Sequence, residues 1–319
     1  MQTRALAALV ILGWTFGAAF LFMKVIVDEI SPSELVAGRM FLGAATVGLV
    51  LTVLRRAPRV SPAIVGRTSL LALMDSVLPF TLVAWAETRI DSGVAAVLIS
   101  TMPLFTILIA STVLPDERLA PVRMLGIGIG FLGVVALTNG DILRLEDGNA
   151  LGMLAVIGAA ACYAVAAVYA KLLLRSEDVL SLTGLKLALG AVLAFGITFT
   201  LHGVPDYGVL SLEGGSALVA LGVVSTGITF MLYFWLVANA GSVYASLVTY
   251  VVPVAGLTLG WAVLGEQIGM NTALGTAFIA LGVAGVMYGP KLASRLGSLR
   301  TSVPAAPRPE SLSAKEEYA

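Results

Sequence analysis

The sequence has little charge, one cysteine and one histidine, and each scarcity excludes a class of protein. Charged residues make up 12% of the 319 residues, against about 25% in soluble domains. The single Cys162 excludes a disulfide or a cysteine-rich zinc site within one chain. The single His202 excludes a paired-histidine metal site, and no Walker motif is present. We therefore predict no metal and no cofactor, and no role for ATP or nucleic acid.

Apolar residues are abundant instead, at 58% of the chain, and they fall into ten long stretches. A helix crosses a bilayer with about 20 mostly apolar residues. The pattern predicts an all-α integral membrane protein with ten transmembrane helices in a lipid bilayer. The ten stretches are residues 5–27, 33–54, 64–86, 91–114, 121–138, 150–174, 179–201, 216–237, 242–264 and 271–289.

Lysine and arginine are distributed unevenly around these stretches. With the N-terminus in the cytoplasm, fourteen of the 19 lie on the cytoplasmic side, and only Arg89 and Arg144 lie on the other side. Cytoplasmic loops carry the excess of positive charge in membrane proteins, so both termini are predicted to be cytoplasmic. The remaining three, Lys24, Arg39 and Lys186, lie within helices. Lys186 is expected to extend to the nearby cytoplasmic interface.

The two halves of the chain match each other over long segments. MKVIVDEISPSELVAGRMFLGA, from Met23, lies over AKLLLRSEDVLSLTGLKLALGA at an offset of 147, which pairs Arg39 with Lys186. FTLVAWAETRIDSGVAAVLISTMP lies over FMLYFWLVANAGSVYASLVTYVVP at an offset of 150, which pairs Phe80 with Phe230. Matches in the same order across five helices indicate an internal duplication.

The duplication predicts two repeats of opposite orientation. The expected organisation is a first five-helix repeat at 1–138, a linker at 139–149, a second repeat at 150–290 and a disordered cytoplasmic tail at 291–319. Because five is an odd number, the second repeat enters the membrane upside down. Inverted repeats of this kind are a transporter architecture, with the substrate site near the bilayer midplane between the repeats.

One stretch near the C-terminus carries a family resemblance. In VPVAGLTLGWAVLGEQIGMNTALGTAFIALGVAGV, a helix with a central proline ends in Gly265 and Glu266 before a glycine-bearing helix. With the five-plus-five inverted repeat, this stretch resembles the EamA-type members of the drug/metabolite transporter superfamily. The first half keeps Glu117 but has Asp116 where the family has glycine. The resemblance implies export or exchange of small metabolites, amino acids included, through a central cavity in the bacterial cytoplasmic (inner) membrane.

Glu117 and Glu266 follow the fourth and ninth apolar stretches. A carboxylate in the first turn of a helix stabilises the positive end of the helix dipole. Each glutamate is therefore expected in the first turn of the helix that follows it, rather than in transport.

Asp75 is the one charged residue in LALMDSVLPFTLVAW, which ends at Trp85. An acidic side chain in the middle of a membrane costs about 2.5–3.5 kcal/mol, so it is expected to be paired or to face water. A rise of about 1.5 Å per residue brings Arg39 within reach, and an ion pair between the two is one interpretation. The other is a cavity carboxylate that binds substrate or carries a coupling proton. Ser225 occupies the matching position in the second half, which argues against a symmetric pair of acids.

Three prolines are candidate helix hinges. A proline has no N–H for the carbonyl four residues earlier, so Pro79 frees the carbonyl of Asp75. Pro103 and Pro253 interrupt the fourth and ninth stretches near mid-depth in the same way. Kinks there suit a moving helix or a cavity wall, and a static kink satisfied by neighbouring hydroxyl groups is the alternative.

Polar side chains deep in the apolar stretches are the candidates for a substrate cavity. An indole or phenol at such a depth needs a partner for its polar group. A cavity of aromatic and hydroxyl groups with few charges suits a neutral or zwitterionic molecule with an apolar body. The candidates are Trp14, Asp75, Tyr163, Thr249 and Tyr250.

Other functions fit the sequence less well. An enzyme needs a nucleophile with a base, a pair of acids or a metal cluster, and none accompanies Asp75. A channel or a lipid scramblase needs a continuous polar lane or a lipid-facing polar groove, which these stretches lack. In a proton-coupled exporter of cationic drugs Asp75 would bind the cation, although the first stretch lacks the acid that such exporters carry. The prediction is a secondary transporter, not an enzyme, that exports amino acids or similar small molecules by alternating access.

Overall fold

The computed structural model describes residues 2–56, 61–113, 121–137, 148–173, 178–240 and 247–301. Within these ranges the chain forms helices joined by short connections, and no strand is present. The α-helices are α1 (Gln2–Ile26), α2 (Pro32–Val53), α3 (Pro62–Ala72), α4 (Leu78–Glu87), α5 (Ser92–Ile99), α6 (Met102–Val113), α7 (Pro121–Leu137), α8 (Gly148–Leu173), α9 (Val179–His202), α10 (Leu212–Val219), α11 (Thr229–Ala240), α12 (Val248–Leu264) and α13 (Met270–Thr301).

Helices occur in each of the ten apolar stretches. In the described part of the chain, eight helical segments are long and apolar enough to cross a membrane. The apolar helices Pro121–Leu137 and Val248–Leu264 have 17 residues each and are shorter than this criterion. The chain is therefore a multi-pass membrane protein.

Side-chain caps explain where several helices begin. Ser31 and Glu34 form a capping box before α2, in which each side chain bonds the backbone of the other residue. Ser61, Asp178 and Ser211 accept hydrogen bonds from the first turns of α3, α9 and α10. These caps satisfy backbone N–H groups that have no partner within a helix.

Two π-helical segments interrupt the third and eighth apolar stretches. Leu73–Val77 joins α3 to α4, and Ala220–Ile228 joins α10 to α11. When the two halves are aligned at an offset of 150 residues, the first segment falls within the second. Isolated π-helical turns are frequent at functional sites, and the first one contains Asp75. Pro79 follows it in the first turn of α4. Because α4 continues directly from the π-helical segment, the proline removes an N–H from a continuous helix.

Contacts between the two halves come in matching pairs. Helix α2 packs against α9, and α7 packs against α13, so that matching helices meet. Helix α1 packs against α11 and α12, and its counterpart α8 packs against α4, α5 and α6. The main contacts between the halves therefore follow the internal repeat.

The linker and tail predictions fall partly outside the described residues. Helix α8 begins at Gly148, within the predicted linker, and the rest of the linker is not described. Helix α13 extends to Thr301, past residue 291, where the tail was predicted to begin. The segment KLASRLGSLR, residues 291–300, is rich in Lys, Leu, Ala and Arg, which favour helix. Residues 302–319 are not described.

Glycines allow α7 and α13 to approach closely. A Cβ atom at Gly126 would lie 2.8 Å from the carbonyl oxygen of Gly282 and 2.8 Å from the amide nitrogen of Val286. Backbone atoms cannot move aside cheaply, so this contact requires glycine. Small residues are typical of such helix interfaces in membranes.

Gly126→Ala is expected to lower the free energy of unfolding by about 1–3 kcal/mol, the usual cost of overpacking. Gly128→Ala, two residues away on the same helix, is the matched control because nothing lies within 4 Å of its Cβ position. Equilibrium unfolding in mixed detergent micelles measures both variants. Equal stabilities would contradict the proposed α7–α13 contact.

Candidate substrate cavity

A cavity of about 700 Å³ lies between the two halves of the chain. Of the candidates from the sequence, Asp75, Tyr163 and Thr249 line it, and so does Pro103. Other ring-bearing side chains complete the apolar wall. These are Phe16, Phe20, Phe80, Phe230 and Tyr233.

Four connections meet at one end of the bundle, which we call the Glu266 end. These connections are 27–31, 88–91, 203–211 and 265–269. Here the backbone N–H and hydroxyl of Ser211 donate to the Glu29 carboxylate at 2.7 and 2.6 Å. These bonds hold the pKa of Glu29 below its usual value.

The opposite end, where α7 and α12 begin, is called the Arg123 end. Asp178 and Arg56 join there at 3.5 Å. Hydrogen bonds from the side chain and backbone of Ser181, followed by Arg56, hold the pKa of Asp178 below its usual value. An ionised carboxylate thus ties helices together at each end of the bundle.

The cavity extends towards the Arg123 end. Its lining includes Arg123, the third residue of α7, and Val248, the first residue of α12. In the other direction it reaches Met23 and Val83 but stops short of the connections at the Glu266 end. The cavity therefore runs from the middle of the bundle to one end.

Glu266 seals the Glu266 end by binding the beginning of α5. Its Oε1 accepts from the N–H of Ser92 at 2.7 Å, and its Oε2 accepts from the N–H of Gly93 at 2.9 Å. A Cβ at Gly93 would lie 3.2 Å from Oε2, so glycine keeps the approach open. A carboxylate also suits the positive end of the helix dipole. The prediction that Glu266 lies in the first turn of its own following helix is wrong, because it caps a helix of the other half.

Lys24 makes a second contact at this end. Its Nζ donates to the carbonyl oxygens of Glu87 at 2.6 Å and Ile90 at 3.0 Å, at the C-terminal end of α4. A cation there complements the negative end of the helix dipole. The Glu87 carboxylate is fully buried and has no hydrogen-bond partner among the described residues. Lys24 and Glu266 thus hold both sides of the connection 88–91.

Asp75 forms an ion pair with Lys186 rather than with Arg39. Lys186 is only 5% exposed, so the expectation that it extends to the cytoplasmic interface is wrong. The side chain of Asp75 keeps 26% of its surface exposed, towards the cavity. A buried charge is costly without a partner, and Asp75 and Lys186 satisfy each other.

Arg39 lies on α2 and is 3% exposed, but it lines the cavity. Its Nε donates to Thr226 Oγ1 at 2.9 Å, and one terminal nitrogen lies 3.4 Å from Met23 Sδ. The guanidinium carbon lies 3.6 Å from the centre of the Phe80 ring, a favourable cation–π contact. Among the described residues no carboxylate forms an ion pair with Arg39.

The two buried cations occupy matching positions in the two halves. Lys186 lies 4.4 Å from the centre of the Phe230 ring, as Arg39 lies over Phe80. Both members of each pair correspond at the offsets of 147 and 150 in the sequence. The pairing of Arg39 with Lys186 was visible in the sequence, but their burial and their aromatic partners were not.

Tyr163 lies near both charged groups of the cavity. Its ring packs edge-on against Phe80, with 6.3 Å between the centroids. Arg39 and Asp75 both interact with it electrostatically. Tyr163 therefore lies close to both the guanidinium group and the carboxylate.

The other predicted residues lie outside the cavity lining. Trp14 is 40% exposed on the surface of α1, and Tyr250 directs its hydroxyl to Met287 Sδ at 3.8 Å. Pro79 and Pro253 are buried within helices and do not line the cavity, whereas Pro103 does.

Comparison with known proteins gives one family across both halves. The sequence model of the EamA-like transporter family matches residues 3–139 and, separately, residues 150–288. The uncharacterized transporter YoaV of Bacillus subtilis is 27% identical over 84% of this chain and 91% of its own length. The uncharacterized inner membrane transporter YedA of Escherichia coli is 27% identical over 87% of this chain and 88% of its own length.

Two further similarities are to a named exporter and to a solved structure. A protein of Streptantibioticus cattleyicolor named "probable terminal-alkyne amino-acid exporter" is 26% identical over 89% of this chain and 93% of its own length. A solved crystal structure aligns with a TM-score of 0.61 and 22% identity, covering 90% of this chain and 98% of the other. The second similarity concerns the fold alone.

Proposed function

Because the chain belongs to the EamA-like transporter family of the drug/metabolite transporter superfamily, we propose that it exchanges amino acids or similar small metabolites by alternating access. The observation that carries this proposal is the cavity between the two halves, which contains a buried cation, Arg39, and a partly open carboxylate, Asp75. Apolar walls with a few placed polar groups are typical of small-molecule sites.

The inverted repeat supports the alternating-access mechanism. The main contacts of α1, α2 and α7 with the other half have counterparts with the roles exchanged, and the family model matches each half separately. Two halves of this kind can exchange conformations, which would turn a cavity that reaches one end into a cavity that reaches the other. The proposed topology has ten membrane crossings, including α7 and α12, with both termini in the cytoplasm.

In the proposed orientation the Arg123 end faces the cytoplasm. The positive-inside distribution of Lys and Arg supports this orientation. The structure then represents the inward-facing state, with the outer side closed by Glu266 and Lys24. Export from a bacterial cytoplasm is the proposed direction, as in the name of the Streptantibioticus relative.

The cationic-drug alternative has less support. An exporter of cations needs a carboxylate that is free to receive the cation, and Lys186 already neutralises Asp75. The second buried cation, Arg39, further disfavours a positively charged substrate in the cavity. We therefore favour exchange of amino acids without a coupling proton on Asp75.

Counterflow in proteoliposomes tests the proposal. Vesicles loaded with unlabelled leucine, methionine or phenylalanine should accumulate the same labelled amino acid, and vesicles loaded with organic cations should not accumulate labelled cations. A pH gradient is expected to change the rate little. Absence of counterflow with every compound would contradict the transport proposal. Uptake that requires the pH gradient would instead support proton-coupled transport.

A further inference from the structure

We propose that Arg39 anchors the carboxylate group of the substrate, and that the amino group is not required for recognition. The inference rests on the proposed function and names the substrate class of the same cavity. That class is small monocarboxylates with an apolar body, among which apolar amino acids are one group.

Arg39 has no charged hydrogen-bond partner among the described residues. A guanidinium group has five N–H donors in a planar fork that matches a carboxylate. Here the described partners, Thr226 Oγ1 and Met23 Sδ, are both neutral. A buried cation is costly when no anion accompanies it. Because Arg39 lines the cavity, a ligand carboxylate can supply the missing anion.

The internal repeat provides a comparison for Arg39. Lys186 occupies the position matching Arg39 and also lies over a phenylalanine ring, but it is paired with Asp75. The remaining acid near Arg39 is Glu87, which attracts it electrostatically without forming an ion pair. One of two equivalent cations thus has a carboxylate from the protein, and the other has none among the described residues.

The groups around Arg39 define the rest of the ligand. The guanidinium carbon lies over the Phe80 ring, and Thr226 and Met23 bond Nε and one terminal nitrogen. The other terminal nitrogen has no hydrogen-bond partner among the described residues. The rings of Phe16, Phe20 and Phe230 line the same cavity. A carboxylate bound at Arg39 therefore places an attached apolar group against aromatic walls.

The charge balance explains why the amino group is dispensable. The cavity lining contains the cation Arg39 and the carboxylate Asp75, and Lys186 already pairs with Asp75, so a ligand with one negative charge offsets the charge of Arg39. An amine without a carboxylate would add positive charge to a site that already has an excess.

Three compounds with the same ring and chain lengths test the inference on the wild-type protein. L-Phenylalanine has both charged groups, 3-phenylpropanoate has only the carboxylate, and phenethylamine has only the ammonium group. Counterflow is expected with the first two and not with the third. Exchange of phenethylamine at a rate similar to that of phenylalanine would overturn the role of the carboxylate. Exchange of phenylalanine but not of 3-phenylpropanoate would overturn the claim that the amino group is dispensable.

Variants of Arg39 test whether this residue binds the carboxylate of the substrate. Arg39→Gln is expected to raise the half-saturating concentration of 3-phenylpropanoate by about 10-fold to 100-fold, as for a lost charged hydrogen bond, and Arg39→Lys is expected to raise it less. Arg89→Gln is the matched control, because Arg89 also lies over a ring, that of Trp85, but is outside the cavity.

Equal affinity for 3-phenylpropanoate in wild type and Arg39→Gln would overturn the proposal that Arg39 binds the carboxylate. If Arg39→Gln does not fold, Arg39→Lys and the wild-type series decide the question. If the wild-type protein exchanges none of the compounds, the proposed function itself is contradicted.

Discussion

Replacing Asp75 with asparagine is expected to lower the free energy of unfolding by about 3 kcal/mol. The variant leaves Lys186 buried without its carboxylate partner, and breaking a buried ion pair costs about 3–5 kcal/mol. The lower end of that range applies because 26% of the Asp75 side chain is exposed. Equilibrium unfolding in mixed detergent micelles measures the loss.

A double-mutant cycle separates the ion pair from other effects of the substitution. Asp75→Asn combined with Lys186→Met removes both charges, and the double variant is expected to recover most of the lost stability. Asp28→Asn is the control, because Asp28 is an exposed acid outside the cavity. Strictly additive losses in the double variant would contradict the ion pair.

Glu266→Gln is expected to weaken the closure of the outer side. The carboxylate oxygens of Glu266 accept charge-assisted hydrogen bonds from the N–H groups of Ser92 and Gly93. The glutamine amide keeps one acceptor oxygen without charge, and the NH2 group in place of the other oxygen cannot accept. A loss of about 1.5–3 kcal/mol in the closed state alone would increase the population of the outward-facing state about 10-fold to 100-fold. The expectation follows from the proposed orientation, in which the Glu266 end faces outwards.

Cysteine labelling from outside the cell measures this shift. Val83→Cys, in a background without the native cysteine, places a thiol on the cavity wall near the Glu266 end. A membrane-impermeant maleimide is expected to react faster when Glu266→Gln is added. Glu213→Gln is the matched control, because Glu213 is exposed in the first turn of α10. Equal rates in the two variants would contradict the role of Glu266 in closing the outer side.

The sequence predicted the helices well because the signal for them is strong. Apolar stretches of about 20 residues cannot be stable in a membrane except as helices or barrels. The ten stretches accordingly contain helices in the structure. The correspondence of Arg39 with Lys186 could also be identified from the sequence, because a duplication preserves the order of residues.

The sequence did not predict which side chains meet inside the bundle. The position of a residue along its helix gives its depth in the membrane. The ion pair between Arg39 and Asp75 was predicted from their similar depths alone. The true partner, Lys186, depends on how helices are rotated and packed. Helices that are apolar all round carry little periodic signal for rotation, which is why Trp14 and Tyr250 were predicted to line the cavity and do not.

The role of Glu266 was hidden for a different reason. A glutamate after a helix is usually considered with its neighbours in sequence, and the following helix was the natural partner. The structure joins it instead to α5, more than 170 residues away. The signal that would have pointed there is Gly93 at the start of α5, where the absence of a side chain admits a carboxylate.

Trans-stimulation of efflux tests alternating access most directly. Proteoliposomes loaded with labelled phenylalanine are diluted into buffer with or without unlabelled phenylalanine outside. A protein that must reorient its cavity is predicted to release label several-fold faster when the external side contains substrate. Efflux at the same rate in both buffers would indicate a channel and contradict the account, and no efflux in either would contradict transport of this compound.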